Sequence, residues 1–419
     1  MLEAVNLVEQ LGRAAKAASR GMARASPAAK ALALRKTAEL LAGEWAGLEA
    51  ANRQDLQLAG AAGLSKAKLD RLKLTPGVRD DLVAGLLQVA SMPDPIGEIE
   101  NLQVRQSGLQ VGRMRVPLGV VGFIYESRPG ATLEASALAL KAGNAILLRG
   151  GKEAFNTNQA LVAILRRALS GAGLPPDAVQ LLPTTDRGAI LEMCHAAESI
   201  DLLIPRGGEE LVTLVQREAR MPVLAHAKGV NHLYVDQGAG LEAAVNLAVN
   251  GKAQRPSVCN ALEKVLVHEA EAKAFLPGLE AAMRQAGVEL RGCERTRAYL
   301  PNIAPATEAD WDTEYLDLIL TVRIVASLEE ALEHVALHGS HHTEAIVTNN
   351  HAYAMRFLRE VDASLVLVNA SPRFNDGFQL GLGAEIGIST SKLHAYGPMG
   401  VKELTATKWV ALGSGQIRE

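Results

Sequence analysis

The chain of 419 residues is longer than a single hydrophobic core usually supports, so we expect two or three domains. Its net charge of −3 and pI near 6.4 give no sign of nucleic-acid binding, and its three cysteines are too few for a disulfide framework. No apolar run approaches the ~20 residues that cross a bilayer. The composition therefore predicts a reduced, cytoplasmic protein with neither a nucleic-acid nor a membrane partner.

The N-terminal region is predicted to be helical. Its beginning is rich in alanine and arginine, as transit peptides are, but Glu3 and Glu9 favour an amphipathic first helix of the folded domain. We expect helices over residues 3–20 and 26–58, and the Ser26-Pro27 pair suits the cap and the first turn of the second helix.

A polar hairpin is predicted between the helical region and the rest of the chain. Residues 103–117 alternate apolar and polar side chains around Ser107-Gly108, which is the pattern of a β-hairpin with two exposed faces. Residues 405–411 are also β-prone and could pair with it. Because such hairpins often serve subunit contact, we expect residues 103–117 and 401–419 to form an oligomerisation element of a homo-oligomer.

Strand and helix patterns alternate through the remainder. Short links between them favour parallel sheets covered on both faces, and the composition shifts near residues 221–230. The predicted fold class is α/β with two parallel-sheet domains, the first comprising residues 1–102 and 118–228 and the second residues 229–400. The expected strands are 119–125, 144–149, 179–181, 200–204, 230–236, 262–268, 318–325, 344–348 and 364–369.

The common nucleotide-binding fingerprints are missing from the sequence. No G-x-G-x-x-G follows a predicted strand, and the glycines of residues 381–387 have the wrong spacing. Gly151-Lys152 and Gly251-Lys252 lack the upstream glycine and the hydroxyl of a P-loop. A standard Rossmann or P-loop site is therefore not predicted.

Cys259 is the strongest candidate for a nucleophile. It follows Lys252 and Arg255 in a segment of small residues; positive charge lowers the pKa of a thiol, and small neighbours admit an acyl group. A pKa lowered from ~8.5 to ~7 would raise the thiolate fraction at pH 7 from about 3% to about half. The alternative is a buried structural thiol, as we expect for Cys194, whereas Cys293 is expected in a surface loop.

Four histidines lie close together in the sequence: His334, His338, His341 and His342. The first two are four residues apart, as zinc ligands on one helix face can be, but the H-E-x-x-H pattern is missing and we predict no metal site. The favoured alternative is a turn at residues 339–340 that presents the following histidines to a polar site.

The segment Arg149-Gly-Gly-Lys152 follows a predicted strand and precedes a predicted helix. It is either a solvated turn or a phosphate site, in which two cations and bare backbone amides meet at a helix N-terminus. The residue pattern alone leaves both alternatives open.

Together these segments resemble the aldehyde dehydrogenase superfamily, and most closely its glutamate-5-semialdehyde dehydrogenase branch. The resemblance spans essentially the whole chain, and Val335 is a conservative departure from the signature of the branch. The matching stretches are residues 116–129, 143–152, the segment around Cys259, and 331–346, the last being the most specific.

The resemblance implies roles for individual residues. Cys259 matches the nucleophile, and Ser127 falls where the superfamily has an asparagine that donates to the oxyanion. Glu314 matches the glutamate that holds the nicotinamide ribose. These three residues would form the reacting centre.

The resemblance also implies a nicotinamide cofactor, bound by Arg149, Lys152, Gly207 and Gly208 in addition to Glu314. Lys152 replaces a glutamate that elsewhere binds the adenosine ribose hydroxyls. An acid there would repel a 2′-phosphate and a lysine would attract it, so we expect NADPH. The superfamily's binding mode, which lacks G-x-G-x-x-G, would explain the missing fingerprint.

The small-molecule substrate implied is γ-glutamyl phosphate. Arg128, Lys252, Arg255 and His341 are the expected binding residues for its phosphate and carboxylate. The implied product is glutamate 5-semialdehyde, in proline biosynthesis, and the protein would act after a glutamate kinase with which it could associate.

One expected carboxylate is missing from the sequence. Aldehyde-oxidising members carry a general-base glutamate where this chain has residues 224–229, which include no acid. That base activates water to hydrolyse the thioester, so its loss favours a reductase. The rival hypotheses are a coenzyme A-acylating aldehyde dehydrogenase and a non-catalytic scaffold on the same fold.

Overall fold

The computed structural model describes residues 2–126, 128–226 and 228–418. It contains two parallel sheets flanked by helices and a small antiparallel sheet, which confirms the predicted α/β fold class. Within the described residues, no helix combines the length and the apolar character needed to traverse a bilayer.

Five helices form the N-terminal region. Residues 26–58, expected to be one helix, are two helices that break at Glu44, where the backbone (φ −107°, ψ 19°) leaves the helical range after Gly43. The Ser26 hydroxyl accepts a hydrogen bond from Ala29 N, as predicted for a cap. The five are α1 (Leu2–Met22), α2 (Pro27–Gly43), α3 (Trp45–Ala61), α4 (Lys66–Leu72) and α5 (Pro76–Ser91).

The first parallel sheet has four strands in the order β5-β4-β3-β6. The side chains of β3 and β4 are buried throughout, because helices cover both faces of the sheet. Its strands are β3 (Val120–Tyr125), β4 (Ala145–Arg149), β5 (Val179–Leu181) and β6 (Leu202–Arg206), and its helices are α6 (Gly130–Lys141), α7 (Phe155–Gly171), α8 (Gly188–His195) and α9 (Glu209–Glu218).

A buried carboxylate holds the turn that follows β4. Asp55 of α3 accepts hydrogen bonds from the backbone N–H groups of Asn156 (3.1 Å) and Thr157 (2.8 Å), which are unpaired donors of the first turn of α7. These two hydrogen bonds fix the start of α7 immediately after the short 3₁₀ helix Lys152–Ala154. The N-terminal helices therefore position one of the predicted cofactor loops.

The second parallel sheet has seven strands in the order β10-β9-β11-β8-β7-β12-β13. Its strands are β7 (Asn231–Val235), β8 (Leu262–His268), β9 (Glu289–Gly292), β10 (Ala304–Pro305), β11 (Ile319–Val325), β12 (Thr343–Val347) and β13 (Leu365–Val368). Its helices are α10 (Leu241–Ala253), α11 (Glu269–Gln285), α12 (Glu294–Tyr299), α13 (Glu308–Trp311), α14 (Leu328–His338) and α15 (His351–Glu360).

The predicted hairpin and the C-terminal tail form the small antiparallel sheet. The hairpin strands are β1 (Ile99–Val104) and β2 (Gln110–Pro117). Strand β16 (Thr405–Leu412) pairs with β2 along its whole length, which confirms the pairing expected for the tail. Both outer strands carry exposed apolar side chains, including Val104 (71% exposed) and Trp409 (68% exposed).

Each parallel sheet has its own apolar core. One extensive cluster surrounds the first sheet, and two others pack on the two faces of the second. Ile386 and Met399, which the predicted division places in the second domain, join the first cluster. This return segment contains the short pair β14 (Ile388–Ser389) and β15 (Gly397–Pro398).

Candidate active site

The carboxyl ends of three neighbouring parallel strands form one side of the candidate site. Strand β3 leads to Glu126, β4 ends at Arg149 and β6 ends at Arg206. In open α/β sheets, ligands bind outside this edge of the sheet. Lys152, Gly207 and Gly208 also lie in the loops at this edge, so the structure brings the predicted cofactor residues of the first half of the chain together.

Cys259 lies on the opposite side, in the loop between α10 and β8, and is partly exposed. The amide of Asn231 donates to the carbonyl oxygens of Cys259 (2.8 Å) and Ala261 (2.6 Å), which fixes the loop. At Gly229 a Cβ atom would lie 1.9 Å from the Cys259 carbonyl oxygen, so only glycine permits this approach. Gly229 N donates to Glu314 Oε1 at 2.9 Å, which places Glu314 at the same junction.

Two histidines accompany the Cys259 sulfur. One ring nitrogen of His226, one of His342 and the Cys259 sulfur all lie within 4.8 Å of one another. The His226 Nδ1–H donates to the Ile388 carbonyl (2.9 Å), which leaves its Nε2 as an acceptor. His342 is buried, and its Nε2 has no hydrogen-bond partner among the described residues. The sulfur thus faces one free imidazole nitrogen from each ring.

The ring of His342 is held at its Nδ1, on the side away from the sulfur. Its Nδ1 lies 2.7 Å from Thr343 Oγ1, and that hydroxyl also accepts a hydrogen bond from Asn375 Nδ2 (2.8 Å). Asn260, next to the nucleophile candidate, donates to the Asn375 carbonyl (2.9 Å). The loop of Cys259 and the ring of His342 are therefore connected through Asn375.

The environment of Cys259 favours the thiolate. Burial raises the pKa of the thiol, but the adjacent imidazole of His342 and the charge of Arg206 together lower it, so the pKa lies below the ordinary value. Burial, followed by the charge of Arg206, lowers the pKa of His226 to about 4. His226 is therefore neutral at pH 7.

Guanidinium groups surround the sulfur. Burial, and next the charges of Arg206, Arg71 and Arg255, lower the pKa of Arg128. Burial and the charge of Arg255 lower the pKa of Arg373, which is also close enough to Cys259 for their charges to interact. Such mutual repulsion is relieved when an anion binds, so the cleft suits a phosphate or a carboxylate.

The predicted cofactor residues differ in exposure. Arg149 is buried and donates to the carbonyls of Gly150 and Asp186, whereas the side chain of Lys152 is exposed. Gly208 caps α9, and its N–H donates to Glu126 Oε2 (3.4 Å). Lys152 is therefore the cation of this turn that a ligand would reach.

Ser127 lies outside the described residues. Lys252 does not face the cleft, because it is fully buried and paired with Glu263 (2.9 Å), a partner that offsets the cost of burying its charge. This placement corrects the expected role of Lys252 in binding the substrate. Arg128 and Arg255 are exposed at the cleft, as that role requires.

The expected role of His341 is also corrected. His341 is exposed in the left-handed region (φ 60°), and its Nδ1–H donates to the Asp362 carbonyl (2.8 Å), away from the sulfur. His342, the next residue, directly precedes β12 and points to Cys259 instead. Successive residues at the start of a strand point to opposite sides, so the ring beside Cys259 is that of His342 and not that of His341.

Three further residues near the sulfur, His226, Arg206 and Arg373, were missed by the sequence reasoning. His226 belongs to the stretch 224–229 that was noted only for lacking a carboxylate, and Arg206 directly precedes the Gly207-Gly208 pair. Both residues therefore lie in or beside segments that the sequence had already assigned to the site. For Arg373 no comparable sequence signal exists, because it approaches Cys259 only through the fold.

The ligand atoms of His226, Cys259 and His342 are also close enough to hold a metal ion. The surrounding guanidinium groups oppose binding of a cation, so the expectation of no metal site stays a prediction. Of the four clustered histidines, the rings of His334 and His338 lie 4.5 Å apart, and His338 Nδ1 is paired with Asp312 (2.9 Å).

Comparison with known proteins agrees with this arrangement. The model of the aldehyde dehydrogenase family matches residues 3–297. The chain is 70% identical over 407 residues to a protein of Meiothermus ruber named gamma-glutamyl phosphate reductase, with 97% of each chain covered. A protein of the same name from Thermus thermophilus is 66% identical over 386 residues, covering 92% of this chain and 93% of the relative.

A solved structure is similar over the same length. The crystal structure of gamma-glutamyl phosphate reductase from Thermotoga maritima has a TM-score of 0.96 and 44% sequence identity, and the similarity covers 98% of this chain and 99% of the other. With the family model and the curated relatives, this likeness settles the classification. The chain belongs to the aldehyde dehydrogenase family, in the group whose curated members are named gamma-glutamyl phosphate reductase.

Proposed function

We propose that this protein reduces γ-glutamyl phosphate to glutamate 5-semialdehyde and phosphate in proline biosynthesis, through a thioester on Cys259. The observation that carries the proposal is a thiol of lowered pKa, beside a buried imidazole, in a cleft lined by guanidinium groups. The names of its relatives support the same substrate. We also infer that it acts in the cytoplasm; association with the upstream kinase stays a prediction.

The first half of the reaction uses the residues around the sulfur. The Cys259 thiolate attacks the acyl carbon, the bond from that carbon to the phosphate oxygen breaks, and the oxygen leaves with its electron pair as inorganic phosphate. Arg206, Arg255 and Arg373 stabilise the phosphate as it leaves. Ser127 and the Cys259 N–H are assigned to the oxyanion.

The second half requires a nicotinamide cofactor, for which the opposite edge of the cleft is suited. The exposed Lys152, the glycine turn that caps α9 and Glu314 at the Gly229 junction line a path from the sheet edge toward Cys259. Lys152, Gly208 and Glu314 would hold a reduced nicotinamide there, and its chemistry would be donation of a hydride to the thioester carbon. Collapse of the resulting thiohemiacetal would release the aldehyde and return Cys259 to the thiolate.

Water must not compete for the thioester. His226 comes from the stretch in which oxidising relatives carry the general base, but a conjugate acid with a pKa of about 4 makes its Nε2 a weak base at neutral pH. Glu314 is held by Gly229 N. The sulfur therefore has a neutral neighbour that is poorly suited to activate water, as a reductase needs.

We further propose NADPH as the preferred cofactor and a homo-oligomer as the assembly. The exposed ammonium of Lys152 supports the cofactor preference, since it would attract a 2′-phosphate. The small sheet supports the assembly. Its outer strand β16 has a free edge within the described residues and an exposed Trp409.

Replacing Cys259 by Ala should remove phosphate-dependent reduction of NADP⁺ by glutamate 5-semialdehyde, by a factor of roughly 10³ or more, because no covalent intermediate can form. NADPH binding, followed by its fluorescence, should persist. Cys293→Ala is the matched control and should keep activity. Near-normal turnover of Cys259→Ala would refute the mechanism, and activity with coenzyme A in place of phosphate would favour the acylating alternative.

Replacing His342 by Gln should raise the pKa of Cys259, since the largest of the contributions that oppose burial would be lost. Because the lowered pKa keeps Cys259 ionised at lower pH, raising that pKa should reduce the thiolate fraction at pH 7. Alkylation by iodoacetamide should then slow, by roughly tenfold for each pH unit by which the pKa rises above 7. The midpoint of the pH–rate profile should move to higher pH. His341→Gln, one residue away, should leave the profile unchanged; equal effects would contradict the pairing.

Replacing Lys152 by Glu should lower the ratio of kcat/KM for NADPH to that for NADH roughly tenfold or more, because the 2′-phosphate then meets a negative charge. Steady-state kinetics with both cofactors measure the ratio. Lys273→Glu makes the same charge change on an exposed face of α11 and should not alter it. An unchanged ratio in Lys152→Glu would remove the basis for the NADPH preference.

Replacing Trp409 by Glu should dissociate the oligomer, because it places a charge on the apolar face of the small sheet. Sedimentation velocity should then give a lower mass than for the unchanged protein. Leu337 is also exposed (76%) but lies on α14, and Leu337→Glu should leave the mass unchanged. A monomeric unchanged protein would contradict the proposed assembly.

A further inference from the structure

A small charged cavity adjoins the Cys259 site at the carboxyl ends of β3 and β6. It encloses about 50 Å³, and its charged wall consists of Glu126, Arg128, Glu134, Arg206 and Glu385 above an apolar floor of Phe123 and Ile386. The mechanism above uses only the guanidinium groups, and Glu126 is bonded to Gly208 N. Glu134 and Glu385 have no role in phosphate binding, since they would repel an anion.

Three separate elements bring these charges together. Arg128 lies two residues before the start of α6, and Glu134 lies in the second turn of that helix. Glu385 comes from the return segment, where its Oε2 accepts a hydrogen bond from Gly377 N (2.9 Å). Gly387 (φ 148°) lets this segment close over Arg206, because a Cβ there would lie 3.1 Å from the guanidinium.

The charged groups of this wall that bear on the argument do not neutralise one another in ion pairs. Throughout the part of the chain that the structure describes, neither Arg128, Arg206, Glu134 nor Glu385 forms an ion pair of 4.0 Å or less. The side chain of Glu134 reaches the surface, but its partial burial raises its pKa, and burial followed by the charge of Asp376 raises the pKa of Glu385 to about 7. Carboxylates in this condition are stabilised when a cation binds between them.

The cavity lies within reach of the reacting carbon. Arg206 belongs to its wall and also lowers the pKa of Cys259, so the cavity and the sulfur share this neighbour. His226, beside the sulfur, is bonded to Ile388, two residues after the cavity floor at Ile386. In a γ-glutamyl group the α-nitrogen is four bonds from the acyl carbon, about 5 Å when extended.

We propose that this cavity reads the amino-acid end of the substrate, with Glu134 and Glu385 binding its α-ammonium group and Arg128 its α-carboxylate. The inference rests on the proposed function and adds the residues that select an α-amino acid over a simple acyl phosphate. A zwitterionic α-amino acid group pairs its ammonium with the carboxylates of the wall and its carboxylate with the guanidinium group. A dicarboxylic acyl phosphate without the amino group leaves the two carboxylates unpaired.

The test compares two aldehydes in the phosphate-dependent reduction of NADP⁺: glutamate 5-semialdehyde, and 5-oxopentanoate, which has the same chain without the amino group. The wild-type kcat/KM should favour the amino aldehyde roughly 10- to 100-fold, as expected for charge-assisted hydrogen bonds. Glu134→Gln and Glu385→Gln should each reduce this preference roughly tenfold, chiefly through the KM for glutamate 5-semialdehyde. Activity with 5-oxopentanoate should be kept or improved. Cyclisation of the amino aldehyde cancels when the same preparation is used with every variant.

Glu126→Gln is the matched control, because Glu126 lines the same cavity but is bonded to Gly208 N at the cofactor edge. It should change kcat/KM for both aldehydes by the same factor. If Glu134→Gln and Glu385→Gln also slow both aldehydes equally, their role is structural and the inference is overturned. Wild-type protein inactive with both aldehydes would overturn the proposed function and this inference with it. An unchanged preference in otherwise active variants would overturn the inference alone.

Discussion

The approach of the His342 imidazole to the partly buried Cys259 is the interaction on which the proposed chemistry depends. A thiol out of water resists ionisation, and at Cys259 the opposing contributions come from His342 and Arg206. These two partners belong to different sheets, since Arg206 ends β6 and His342 directly precedes β12. The nucleophile is therefore competent only when both halves of the molecule are in place.

Much of the architecture could be predicted from the sequence, because it follows from short-range patterns. The alternation of buried strands with helices predicts the parallel sheets, and the alternation in residues 103–117 predicts the hairpin that β16 completes. The single helix expected over 26–58 was wrong, because amphipathic periodicity continues across Glu44 although the backbone does not. The weak helix former Gly43 was the available signal.

The candidate site was predicted less completely, because its geometry depends on contacts between distant segments. Cys259 was identified from its neighbours in the sequence. The same neighbours suggested that Lys252 faces the substrate, whereas in the structure it is paired with Glu263. The side chain of a helical lysine can face the cleft or the core, and the sequence does not show on which side a buried carboxylate lies. His341 and His342 show the same limit, since the direction of a side chain at the start of a strand depends on the register.

Gly229 has a consequence for how the two halves communicate. This residue joins the segment after the first sheet to β7, and it touches the Cys259 carbonyl while its N–H holds Glu314. Not even a methyl group fits at this contact, so a shift of Gly229 would displace the backbone of the nucleophile loop. A movement of the two sheets that shifts Gly229 would therefore also reorient the Cys259 sulfur.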